Sequence, residues 1–141
     1  MAMTIHVDVV SADREIYSGS SEMVVAPAEM GEVGIMPGHS PMITRLLPGE
    51  VRIQHEGRDT EIVFVSGGFL EVQPSVVTIL ADTAERAPDI DTAEAEAAKR
   101  RAEQTLEERT SDLELAQARA ELVEATARLR TYRRYRERGG V

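Results

Sequence analysis

A change of hydrophobic period beside Pro88 constrains this chain more than any other feature. Ahead of it the sequence runs in short β-branched pieces. Behind it, "PDIDTAEAEAAKRRAEQTLEE" and "SDLELAQARAELVEATARLRTYRRYRER" continue without Gly or Pro until Gly139. Period two builds strands that cover one face of a core, and long Ala-, Glu-, Arg- and Leu-rich stretches build helices. One uniform layer cannot accommodate both patterns. The expectation is a β domain over residues 1–87 followed by a helical unit over 88–141.

In the first part "TIHVDVV" alternates, with Ile5, Val7 and Val9 on one face and His6, Asp8 and Val10 on the other. Residues 21–27, 50–57, 60–68, 69–74 and 75–82 are further strand-like runs, separated by turn residues at the spacing of an all-β sandwich or barrel. "HEGRD" predicts a hairpin turn with Gly57 at positive φ, and "QPS" predicts a tight connection at Pro74. Gly67 and Gly68 predict a bend or a close approach of backbone. His55, at the hairpin, is expected to be solvated, and His6 to be a structural residue on its strand.

In the second part, Asp91 with Glu94 and Ser111 with Glu114 have the spacing of N-terminal caps. The short "ERTS" connection requires an antiparallel helical hairpin. Leu115, Ala118, Leu122, Ala125, Leu129 and Tyr132 recur at steps of three and four, facing Ala95, Ala98, Ala102 and Leu106. Alanines allow close approach but bury little apolar area, so the hairpin is expected to be helical yet weakly committed to any resting surface. Pro88, in "RAPD", is the expected hinge.

Composition narrows the function. There is no cysteine among the 141 residues, which excludes disulfides and thiolate metal sites. The N-terminus lacks the pattern of a signal peptide, and no apolar run approaches the roughly 20 residues of a membrane helix. The net charge of −9 argues against generic binding to nucleic acid or anionic lipid. That acidic body ends in a basic tip, where Arg128, Arg130, Arg133, Arg134, Arg136 and Arg138 stand against Glu137 alone. Two readings of the tip stay open: a solvated helix end suited to the macrodipole, and a surface for an acidic protein partner.

The segment "GEVGIMPGHSP" (31–41) has the look of a chemical loop. It lacks the G-K-[ST] ending and following helix of a phosphate cradle. His39 and Ser40 are chain neighbours with no orienting acid nearby, a poor arrangement for a nucleophile and base. No spacing suits a metal. A shaped loop between strands is the remaining expectation.

Taken together, "MTIHVDVVSADREIYSG", "GEVGIMPGHSPMITRLLPGEVRI" and "FVSGGFLEVQPSVVTILADTAERAPDID" resemble the epsilon subunit of bacterial F-type ATP synthase. The segments "AKRRAEQ" and "AQARAELVEATARLR" extend the resemblance over essentially the whole chain. It implies a ten-stranded N-terminal β-sandwich followed by a C-terminal antiparallel α-helical hairpin. It also implies a non-catalytic central-stalk subunit without cofactor or metal, which couples proton translocation to ATP synthesis and restrains ATP hydrolysis through its helices. The implied partners are the gamma subunit, the c-ring and the alpha/beta catalytic hexamer. The implied location is the cytoplasmic face of the bacterial inner membrane, reached only through the complex.

By position, Glu32 resembles a loop carboxylate that faces the c-ring, and His39 a residue near gamma. Arg109, Arg119, Arg128, Arg130, Arg133 and Arg134 lie on the helices that would engage the hexamer or gamma. Some members of the family bind ATP through an I/L-D-x-x-R-A motif and two arginines of the second helix. Here Ile90, Asp91, Ala95 and Arg128 fit that pattern, while Glu94 and Glu124 stand where arginines are needed. Anions in place of cations predict weak or absent ATP binding. Two other classes would betray themselves differently. A free-standing adaptor or chaperone would co-purify without gamma, and an enzyme would lose hydrolase activity on His39→Ala with the fold intact.

Overall fold

A computed structural model describes residues 3–108 and 111–139 of the chain. Ten strands come first: β1 (Ile5–Val10), β2 (Glu15–Ser21), β3 (Met23–Ala28), β4 (Gly31–Ile35), β5 (Met42–Leu46), β6 (Gly49–Gln54), β7 (Glu61–Val65), β8 (Gly68–Val72), β9 (Val76–Ala81) and β10 (Ala84–Arg86). A 3-10 turn at Ala87–Asp89 leads into helices α1 (Thr92–Glu107) and α2 (Asp112–Glu137). The strands pair in the order β10-β7-β6-β3-β5-β8-β9-β1-β2, with β4 also on β3. All neighbours are antiparallel except β1 and β9. Strand β3 joins the two layers, pairing with β6 through Met23–Val25 and reaching β5 at Ala28 opposite Leu46.

The expected alternation of β1 is present: Ile5, Val7 and Val9 are buried with Val24, Ile53, Val63, Leu70 and Ile79 in one core. Strand β7 reads as a continuous apolar run because both its faces are covered. Val63 and Val65 point into the sandwich, while Phe64 points outward beneath the hairpin. Gly68 is required by geometry. Its φ is +131°, and a β-carbon there would lie 2.1 Å from the Leu80 carbonyl oxygen. The turn at Gly57 also has positive φ, at +70°.

Two expectations need correction. Residues 31–35 are not loop but strand β4, opposite residues 24–28 of β3, so Glu32 is a strand residue. Val33 and Ile35 turn toward the core while Glu32 and Gly34 face out, an alternation masked by the two glycines. The loop proper begins at Met36 and is held to the β8–β9 turn by the Gly38 amide, which donates to the Pro74 carbonyl at 2.8 Å. His55 is not simply solvated. It is half-buried, with Nε2 3.2 Å from the Tyr17 hydroxyl and Nδ1 3.0 Å from the Arg58 guanidinium. Burial, followed by the Arg58 charge, holds its imidazole below the usual histidine pKa.

Both caps form as the spacing predicts. The Asp91 carboxylate accepts from the Glu94 amide at 3.1 Å, and the Ser111 hydroxyl from the Glu114 amide at 3.3 Å. Ala95 and Ala102 on α1 and Ala118 and Ala125 on α2 are buried along the seam of the hairpin. Leu115, Leu122 and Leu129 are only half-buried, so small residues carry the closest contact.

Candidate functional site: the ion-paired seam between hairpin and sandwich

Helix α2 lies on the outer face of β6 and β7. The apolar part of that contact is small: Phe64, Ile90 and Ala127 are buried together, with Tyr132 packed against them. Ion pairs surround it. On one side Arg128 grips Glu85 with a two-pronged contact, its Nε to Oε1 and its Nη2 to Oε2, the latter at 3.2 Å. Glu94 lies 3.8 Å from the same guanidinium. The Glu85 hydrogen bond is the main cause that raises the Arg128 pKa further. Exposed pairs contribute about 0–1 kcal/mol. This fork has side chains only 16% and 22% exposed, so it stands above that range.

On the other side Glu50 and Arg52, two apart on β6, project from the same sheet face. Glu50 is 4% exposed, and its Oε1 accepts from both Arg52 and Arg134 at 3.1 Å. Arg52 also donates to Glu32 at 2.9 Å. An unbroken series of alternating charge thus runs from β4 through β6 to α2. A buried carboxylate is tolerated only with such partners, and Arg134 comes from 84 residues away.

The residues matching the nucleotide motif have structural work here. Ile90 belongs to the buried contact with Phe64, Asp91 caps α1, and Ala95 is buried in the seam. The adjoining cleft, about 310 Å³, is lined by Glu94, Glu121 and Glu124 against Arg101 and Arg128. Arg128 is already engaged by Glu85. Burial pushes the Glu124 carboxyl pKa up, and Glu121, Asp82 and Glu85 add to the rise against the opposing pull of Arg128. Three carboxylates facing a polyphosphate do not fit an ATP site.

Glu32 stands on the outer face of β4 with its side chain 53% exposed. His39 is half-buried in the loop, and its Nδ1 donates to the Ser40 carbonyl at 2.7 Å. Among the described residues no hydrogen bond joins His39 to the Ser40 hydroxyl or to a carboxylate, so no catalytic pair is assembled. Arg119, Arg130 and Arg133 are exposed on α2, with Arg133 4.0 Å from Glu137. Arg109 lies outside the described residues. No group of metal-ligating side chains is assembled among the described residues.

Sequence reasoning missed Glu50, Arg52 and Glu85, the sandwich partners of the basic helix. It also missed an apolar outer face. Ile43, Phe69 and Leu80 are 72%, 48% and 49% exposed on the adjacent strands β5, β8 and β9. Phe69 stands directly opposite both Arg45 and Leu80, and the Arg45 guanidinium lies 5.9 Å from its ring centre. The available signal was phase: these side chains alternate with the buried Leu46, Leu70 and Ile79.

Residues 4–87 match the family model "ATP synthase, Delta/Epsilon chain, beta-sandwich domain" and residues 89–133 match "ATP synthase, Delta/Epsilon chain, long alpha-helix domain". The ATP synthase epsilon chain of Nitrosococcus oceani is 61% identical, over 99% of this chain and all of that one. That of Thioalkalivibrio sulfidiphilus is 58% identical, over 96% and 97% of the two chains. Among solved structures, a chain of the Euglena gracilis mitochondrial ATP synthase (OSCP/F1/c-ring) matches with a TM-score of 0.78 at 22% identity, covering 88% of this chain and 78% of that one. At that identity the likeness bears on the fold. The two matched domains and the identity across the full chain establish that the chain belongs to the ATP synthase delta/epsilon family, among the bacterial epsilon chains.

Proposed function

We propose that this chain is a non-catalytic rotor subunit of an F-type ATP synthase, coupling proton translocation to ATP synthesis and restraining ATP hydrolysis through α1 and α2. Residues 1–87 act as the docking domain and residues 88–141 as a mobile regulatory hairpin hinged at Pro88. The observation that carries the regulatory part is the character of the seam. Four apolar residues and a few arginine–carboxylate pairs hold α2, a contact suited to being made and broken. When the hairpin is down, the sandwich itself supplies the acidic partner of the basic tip. Released, Arg119, Arg128, Arg130, Arg133 and Arg134, with Arg109, would present their charges to the catalytic hexamer or to gamma.

Glu32 faces the c-ring in this reading, and His39 lies near gamma. The exposed face of Ile43, Phe69 and Leu80 suits the gamma subunit as its occupant, because it continues from the loop that carries His39 into β5. No described helix is long and apolar enough to cross a membrane. In this reading, attachment at the cytoplasmic face of the bacterial membrane is peripheral and runs through the complex.

The deciding experiment compares ATP hydrolysis by the assembled complex carrying the full chain with that carrying a chain ended after Pro88. Faster hydrolysis after truncation is expected. Unchanged hydrolysis would remove the inhibitory role and leave coupling in place. ATP is expected not to bind the isolated chain. Calorimetry that finds sub-millimolar affinity would overturn that part of the proposal.

A further inference from the structure

We propose that the series Glu32–Arg52–Glu50–Arg134 couples engagement of Glu32 by an outside cation to release of helix α2. The geometry is one of two competitions. Arg52 Nη1 is shared by Glu32 Oε2 at 2.9 Å and Glu50 Oε1 at 3.1 Å. Glu50 Oε1 is in turn shared by Arg52 and Arg134, while Glu50 Oε2 is buried with no hydrogen-bond partner among the described residues. Each member therefore divides its attention between two neighbours, and one acceptor of the central carboxylate stands unused.

When a cation from another molecule takes Glu32, Arg52 loses its outer partner. It then turns its full fork to Glu50, including the Nη2 that lies 3.5 Å from Glu32 Oε1 in the docked state. A fork bonded to both oxygens satisfies Glu50 better than a single shared contact does. The buried carboxylate depends less on Arg134, and α2 is held less firmly. The reverse direction gives the same sign. When Arg134 departs, Glu50 draws Arg52 inward and Glu32 is freed for an outside partner. Such reciprocity is what thermodynamic linkage requires of two coupled sites. Arg130 lines the same cleft of about 270 Å³ and shares the field of both carboxylates, so the test must separate the relay from direct attraction. The inference deepens the proposed function, on which it rests for the identity of the partner at Glu32.

Because the chain has no cysteine, spin labels go only where they are put. Labels on Thr60→Cys and Glu137→Cys, both exposed, report the separation of hairpin and sandwich in the isolated full chain. Glu32→Gln mimics engagement by removing the charge. It is expected to raise the ratio of open to docked hairpin about two- to fivefold, the range that such pairs produce. The same substitution is expected to change nothing when the series is already broken by Glu50→Gln or, independently, by Arg134→Met. An unchanged ratio in the parent chain would overturn the proposal. So would an equal rise in both broken backgrounds, since Glu32 would then act on the basic helix directly. If the coupling is present but Glu32→Gln leaves assembly and hydrolysis of the complex unaltered, the coupling stands and the assignment of Glu32 to the c-ring fails.

Discussion

Glu124 sits where a carboxylate is costly. It is half-buried in the hairpin cleft, and burial and the neighbouring Glu121, Asp82 and Glu85 all disfavour its charge, with only Arg128 opposing them. Its folded-state pKa is raised above the unfolded value, so the folded state binds the proton more tightly. The stabilisation from the protonated form is fully present below the unfolded pKa and is lost as pH rises through the folded one. At pH 7 the charge is therefore a net cost to the folded hairpin. Glu124→Gln is expected to raise the urea midpoint of helix unfolding at pH 7, read by circular dichroism, and to leave it unchanged at pH 3. A stabilisation equal at both pH values would show that charge is not the cause. Whereas the burial of Glu124 and the nearby charges of Asp82 and Glu85 arise only in the fold, Asp91 was legible in the sequence because the Glu94 amide it caps is three residues away. Glu50 and Glu85 were not. Their partners on α2, Arg134 and Arg128, come from 84 and 43 residues away, and only the folded register brings them together.

Among the elements, α2 is the one through which the proposed regulation would act, because it is held from two sides by different physics. The Phe64, Ile90, Ala127 and Tyr132 contact is insensitive to salt, whereas the Arg128 and Arg134 pairs weaken as ions screen them. Going from 0.1 M to 1 M salt shortens the screening length from about 10 to about 3 Å. The open fraction of the hairpin is expected to rise over that range, read by the same pair of spin labels. Arg128→Met is expected to raise it roughly tenfold at low salt, the effect of one charge-assisted bond of about 1.5 kcal/mol, and to flatten the salt dependence. A salt response that is identical with and without Arg128 would assign the docking to apolar contact alone. Both helices and their caps were readable from composition and spacing. Strand β1 was readable for the same reason, since its buried and exposed residues alternate cleanly. Strands β2, β4 and β5 were not. β2 buries only Ser21, β4 contains two glycines, and β5 exposes Ile43 while half-burying Thr44.

At the scale of the whole molecule, one covered face and one bare face divide the sandwich. The outer surface of β6 and β7 is taken by α2, but the outer surface of β5, β8 and β9 leaves Ile43, Phe69 and Leu80 half-exposed or more. The same period-two pattern builds both, so sequence alone did not tell which outward apolar residue meets a helix and which is left for a partner. Apolar side chains gathered on three neighbouring strands mark an interaction surface more often than scattered ones do. Phe69 is at its centre, between Arg45 and Leu80. Burying a glutamate in place of that ring leaves a charge without water or partner, which an interface tolerates poorly. Phe69→Glu is therefore expected to weaken association with the gamma subunit at least about tenfold in a binding assay with purified proteins. Because Phe69 is half-exposed and points away from the core, the melting temperature of the isolated chain should stay within a few degrees. Met30→Glu, at a residue 95% exposed in the turn between β3 and β4, serves as the matched control and should leave gamma binding unchanged. Equal loss in both variants would mean that any added charge disturbs the complex, and full binding by Phe69→Glu would move the gamma contact off this face.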